Sequence, residues 1–127
     1  MRSPEQFKSF ARLAKASTRY APYGLMGAPL VGWVAGHSES PNTSAVSAAG
    51  GTVGLATSLA GHKLIPKDIL DEFKRLHPED WKPILRSMKN INNLALIGIG
   101  ATSAPVAMYL TRKEKKDGSK PNLPNPA

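Results

Sequence analysis

The sequence predicts an all-α protein, and three observations carry that prediction. Apolar residues recur at helical spacing over residues 3–20 and again over 66–91. Helix-start chemistry stands where those patterns begin: Ser3-Pro4 with Gln6, Pro66 followed by Asp68, and Pro78-Glu79-Asp80. Between and beyond them lie three windows, 20–38, 40–62 and 90–111, that contain no Asp, Glu, Lys or Arg. Each is close to the ~20 residues that a membrane-crossing helix needs.

The expected order is a basic amphipathic helix (1–21), a Gly/Ala-rich helical hairpin (22–64), and an amphipathic helix pair running into a final apolar helix (65–112). These form one helical domain, followed by an extended basic, Pro-rich tail (113–127).

In the first segment Ser3 suits the N-cap and Pro4 the first helical position, while Gln6 completes a capping box. Phe7, Phe10, Leu13 and Ala14 make its apolar face. Lys8, Arg12, Lys15 and Arg19 make a basic stripe expected to contact a membrane surface or phosphates. The same composition occurs in mitochondrial transit peptides.

The hairpin is expected to turn at 37–43, a run of Ser, Glu, Pro and Asn. Gly32 and Gly36 lie in its first arm, Gly50 and Gly54 in its second. Small residues four apart share a helix face and allow two backbones to approach closely, so these four glycines are predicted to pack the arms together. In 66–91, Ile69, Leu70, Phe73 and Leu76, then Trp81, Ile84, Leu85, Met88 and Ile91, give the best amphipathic pattern in the chain. The prolines near the C-terminus are expected to keep residues 113–127 from forming a regular helix or central strand.

Composition sets limits on the core. Aromatic residues make up 6% of the chain, and much of its 41% hydrophobic fraction is alanine. Alanine buries little area, so close backbone packing or an external partner has to supply stability. The net charge of +8 sits largely at the ends. Arg112, Lys113, Lys115 and Lys116 join the N-terminal stripe as candidate contacts for anionic headgroups or phosphate. If the three windows cross a membrane, the N-terminus and residues 63–89 share a side, which positive-inside places in the cytoplasm or matrix. The tail then emerges on the other side.

Catalytic patterns are missing from the sequence. There is no cysteine, and His37, His62 and His77 fall in no metal-ligand spacing. The carboxylates at 71–72 and 79–80 are adjacent in sequence and diverge on a helix. Residues 50–54 lack the phosphate-loop spacing. The expectation is therefore a non-enzyme with no cofactor, metal or small-molecule substrate. Non-specific nucleic-acid contact needs charge alone and stays open.

The Gly/Ala-rich arm, short polar turn and second Gly-rich arm of residues 25–64 resemble the glycine-zipper hairpins of small tailed-phage virion proteins. That resemblance implies a minor structural protein of a virion, with membrane contact during genome delivery. The basic N-terminal helix, modest spans and extended tail also resemble small accessory subunits of mitochondrial inner-membrane complexes. A free-standing membrane-active, holin-like protein is the third reading. In the first two the partners are other subunits of a large assembly, and in all three membrane lipid is a partner.

Overall fold

The computed structural model describes residues 3–118, and side chains up to Glu114. These residues form five α-helices and no strand: α1 (Pro4–Ser17), α2 (Ala21–Gly36), α3 (Thr43–Lys63), α4 (Lys67–Leu76) and α5 (Trp81–Gly118).

The α1 start is built as its sequence dictates. The Ser3 hydroxyl accepts from the Gln6 backbone N–H at 3.2 Å, and the Gln6 side-chain oxygen accepts from Ser3 N–H at 3.1 Å. Two N–H groups that the helix cannot satisfy are thereby paired. Asn42 caps α3 in the same manner, accepting from Ala45 N–H at 3.0 Å.

The helices sort into two layers with opposite packing chemistry. α1, α4 and the first turns of α5 form an amphipathic cap around Leu13, Phe73 and Met88, with Ile69, Leu70, Trp81, Ile84 and Leu85 against them. Phe73 and Leu13 are fully buried, each contributing roughly 1.5–3 kcal/mol by transfer from water. His77 stacks on Phe73 with ring centroids 4.3 Å apart. Gln6 closes the cap by donating from Nε2 to the Leu76 carbonyl at 2.9 Å. This is an ordinary apolar core.

The second layer is a three-helix bundle of α2, α3 and α5, and its interior is made of small residues. Gly24, Ala28, Gly32 and Gly36 are the buried positions of α2. In α3 they include Val46, Gly50, Gly54 and Ser58. In the matching part of α5, Leu96, Gly100, Ala104 and Met108 are buried. Every ladder steps by four residues, so each presents one face. From the residues that meet, α2 and α5 run in the same direction and α3 runs against both.

The second member of the amphipathic pair runs into the final apolar helix without a break, as one 38-residue helix with Pro105 inside it. One expectation needs correction. The segment 113–127 is not extended throughout: α5 runs to Gly118, since Lys113, Glu114, Lys115 and Lys116 are good helix formers and no proline stands between Lys113 and Pro121. The rest of the predicted tail, 119–127, lies outside the described residues.

Candidate functional site

The glycines expected to zip the hairpin pack instead against α5. A Cβ on Gly32 would overlap the Ala104 carbonyl, and one on Gly36 would lie 2.7 Å from Thr111 Cβ and 3.0 Å from the Met108 carbonyl oxygen. Gly50 meets Gly100 backbone to backbone, and Gly54 meets the Leu96 carbonyl. The two arms meet each other at different glycines, Gly24 against Thr57 and Gly27 against Val53. The physical reason is that α2 and α3 must both also hold α5. Each arm therefore turns its narrowest face to the helix that approaches closest. Gly24 and Gly27 belong to the glycine series for which the sequence suggests close helix packing, whereas Gly61 and Gly100 were not anticipated as packing positions.

Several hydroxyl groups inside and along the bundle bond to backbone carbonyls, while the buried Ser103 Oγ has no partner among the described residues. Ser47 Oγ donates across to Ala101 O at 2.7 Å, while Thr57 and Thr102 donate within their own helices to Gly54 O and Gly98 O, both at 2.8 Å. Ser58 donates to Asn93 Oδ1 at 2.5 Å, joining α3 to α5. In a medium without water these groups need such partners.

Where cap and bundle join, a polar knot ties three helices. Asn92 of α5 donates from Nδ2 to Ser17 Oγ of α1 at 3.3 Å and to His62 Nε2 of α3 at 3.1 Å. Gly61 permits this, because any Cβ there would run into the Ser17 carbonyl. His62 is the last residue of the uncharged window in α3, next to Lys63, and its Nε2 accepts from the Asn92 amide. At the far end, Arg112 donates to the Ser38 carbonyl at 2.6 Å and to Gly36 O at 3.5 Å. A cation there satisfies the orphan carbonyls ending α2 and complements its dipole.

The predicted basic residues fall into two groups at opposite ends of the bundle. Lys8, Arg12 and Lys15 are exposed on α1, and Arg19 is exposed in the turn that follows it. Arg12 pairs with Glu72 of α4, its Nη1 lying 2.9 and 3.1 Å from the two carboxylate oxygens. Arg112 and exposed Lys113 stand at the other end. The side chains of Lys115 and Lys116 lie outside the described residues. His37, His62 and His77 sit on different elements, and the described residues hold no group of three or more His, Asp or Glu able to hold a metal ion.

The outer surface of the bundle is the inverse of its interior. On α2, Tyr23, Leu25, Met26, Leu30, Trp33 and Val34 are exposed, and on α5, Ile91, Leu94, Ile99, Val106, Tyr109 and Leu110. Singly exposed apolar residues are ordinary in proteins, but a continuous apolar band is not. Among the described residues one helix segment, Trp81–Glu114, is long and apolar enough to cross a membrane. The two earlier windows sit in helices that do not meet that measure. α2 has only 16 residues, and α3 is diluted by Gly, Ser and Thr.

No protein-family model matches the chain, and no curated protein or solved structure matches it either.

Proposed function

We propose that this chain is a non-enzymatic membrane subunit, a structural or accessory component of a larger assembly. Its α2–α3–α5 bundle crosses the bilayer, and its α1–α4 cap lies at one surface. The observation that carries this reading is the inverted packing of the bundle: apart from Val46, Leu96 and Met108 its interior is Gly, Ala and Ser, while large Leu, Ile, Met, Val, Trp and Tyr side chains stand on the outward faces of α2 and α5. In lipid, helix association gains nothing from burying large apolar side chains, so close backbone approach is what holds helices together. In water the same arrangement discards the burial that would stabilise it.

Two further features support the reading. Among the described residues the charged ones stand in the cap, at Arg19 in the α1–α2 turn, at Glu39 in the α2–α3 connection, at Lys63 where α3 ends, in the α4–α5 connection and at the end of α5. Aromatic residues stand near both ends of the bundle, Tyr20 and Tyr23 beside the cap and Trp33 and Tyr109 at the far end, as at the two interfaces of a membrane. The uncharged part of α5 spans about 33 Å at 1.5 Å per residue. At the same rise α3 spans about 32 Å and α2 about 24 Å, both packed on α5, and in this proposal the three cross together.

A tailed-phage virion that meets its host membrane and a mitochondrial inner membrane are both settings for such a subunit. The shared claim is tested by expressing the full chain alone with membranes, followed by alkaline extraction and flotation. The expected result is that the chain floats with lipid after extraction. Release as soluble or pelleted protein overturns the proposal and leaves the apolar face for protein partners.

A further inference from the structure

Between the C-terminal half of α1 and the start of α4 lies a groove of about 530 Å³. Its rim carries Arg12, Lys15 and Arg19, and its wall is Ala16, Pro66 and Ile69. We propose that this groove binds the headgroup of an anionic phospholipid. The phosphate would be held between Lys15 and Arg19, with the glycerol and first methylenes against Pro66 and Ile69.

Three observations point to that occupant. The first is level. Arg19 stands two residues before α2 begins and Pro66 three residues after α3 ends, so the groove opens where the chain enters and leaves the bundle. The inference rests on that bundle crossing a membrane, in which case this level is the headgroup layer. The second is charge. Glu72, the nearby carboxylate, is taken by Arg12 at 2.9 Å. Neither Lys15 nor Arg19 forms an ion pair among the described residues, and the Arg19 guanidinium lies over the Tyr20 ring, 5.6 Å from its centroid. The third is mixed chemistry. A free inorganic anion needs only the cations, whereas the apolar wall beside them suits a molecule with a charged head and a hydrocarbon body.

The test uses the full chain reconstituted in bilayers of phosphatidylcholine with a minor share of phosphatidylglycerol. The lipids retained after mild delipidation are quantified, and alkaline resistance is measured on the same samples. The wild type is expected to retain phosphatidylglycerol in preference to phosphatidylcholine. The double variant Lys15→Gln/Arg19→Gln should lose that preference by roughly thirtyfold, as expected for two basic side chains beside an anionic surface, while staying resistant to alkali. Lys82→Gln/Arg86→Gln removes the same charge from an exposed part of α5 and should change the preference by no more than about twofold, since those side chains lie outside the groove. Equal losses in the two double variants mean a diffuse field and overturn the groove. So does inorganic phosphate binding to the detergent-solubilised chain with the same sensitivity to the variants, which marks a soluble-anion site. In both cases an alkali-resistant wild type keeps the membrane assignment. A wild type released by alkali overturns both proposals.

Discussion

Gly54→Val is expected to dismantle the bundle, whereas Gly98→Ala in the facing helix is expected to leave it intact or slightly firmer. At Gly54 a Cβ would overlap the Leu96 carbonyl oxygen and sit 2.6 Å from its carbon. The obstacle is backbone, so no rotamer change relieves it. α3 and α5 must separate along the whole ladder, which also parts Gly50 from Gly100 and lengthens the Ser58–Asn93 hydrogen bond. Overpacking of this kind costs roughly 3 kcal/mol or more, the upper end for one substitution. At Gly98 a Cβ meets nothing within 4 Å, so alanine there gains about 0.5–1 kcal/mol of helix propensity. The first carbon added meets backbone at Gly54 and open space at Gly98, and valine places two further methyls beyond it at the crowded position. Unfolding of the chain in mild detergent against rising sodium dodecyl sulfate, followed by Trp fluorescence, compares them. A Gly54→Val variant as stable as wild type would show that α3 and α5 do not approach as described.

Ile99→Arg is expected to separate the lipid account from an aqueous one most sharply. Ile99 lies near the middle of the uncharged stretch of α5 and is 44% exposed on the outward face. In water a surface substitution of this kind falls within about 0.5 kcal/mol of neutral, and it improves solubility. In a bilayer, arginine at the centre of a spanning helix costs roughly 2.5–3.5 kcal/mol. The alkali-resistant fraction of the chain in membranes should therefore drop sharply for Ile99→Arg. It should stay unchanged for Lys82→Arg, which lies in the cap. An Ile99→Arg chain that inserts as well as wild type contradicts the placement of this face against lipid.

How much of this architecture was legible in the sequence varied with the range of the interaction that sets it. The α1 start was readable because a capping box closes within four residues. The Phe73 and Leu13 core was readable because apolar side chains at helical spacing identify themselves without a partner. The glycine ladders were half readable. Four-residue spacing identifies a narrow face, but which neighbour that face meets depends on α5, whose contacting residue Gly100 lies 50 positions beyond Gly50. The hairpin arms were accordingly paired with each other when both lean on α5. The run of the amphipathic helix into the apolar one was readable because the change of composition near Asn90, from amphipathic to uncharged, brings no helix-breaking residue with it. Extension of that helix to Gly118 was masked by the prolines beyond it, which limit only residues close to them.

The polar knot was least legible. Ser17, His62 and Asn92 are far apart in sequence and belong to no motif, and only the meeting of α1, α3 and α5 brings them together. The basic stripe of α1 was visible as charge. Its division into an Arg12 paired with Glu72 and a Lys15–Arg19 pair on an open groove required the position of α4.

The central claim, that three helices cross one bilayer, is tested most directly by single-cysteine labelling, for which a chain without cysteine is ready as it stands. Ser40→Cys lies in the α2–α3 connection, Lys113→Cys near the end of α5, and Glu79→Cys between α4 and α5, all three at exposed positions. In sealed vesicles an impermeant maleimide should label Ser40→Cys and Lys113→Cys from one side and Glu79→Cys only from the other. Equal labelling of all three from the same side, without permeabilisation, would contradict the account.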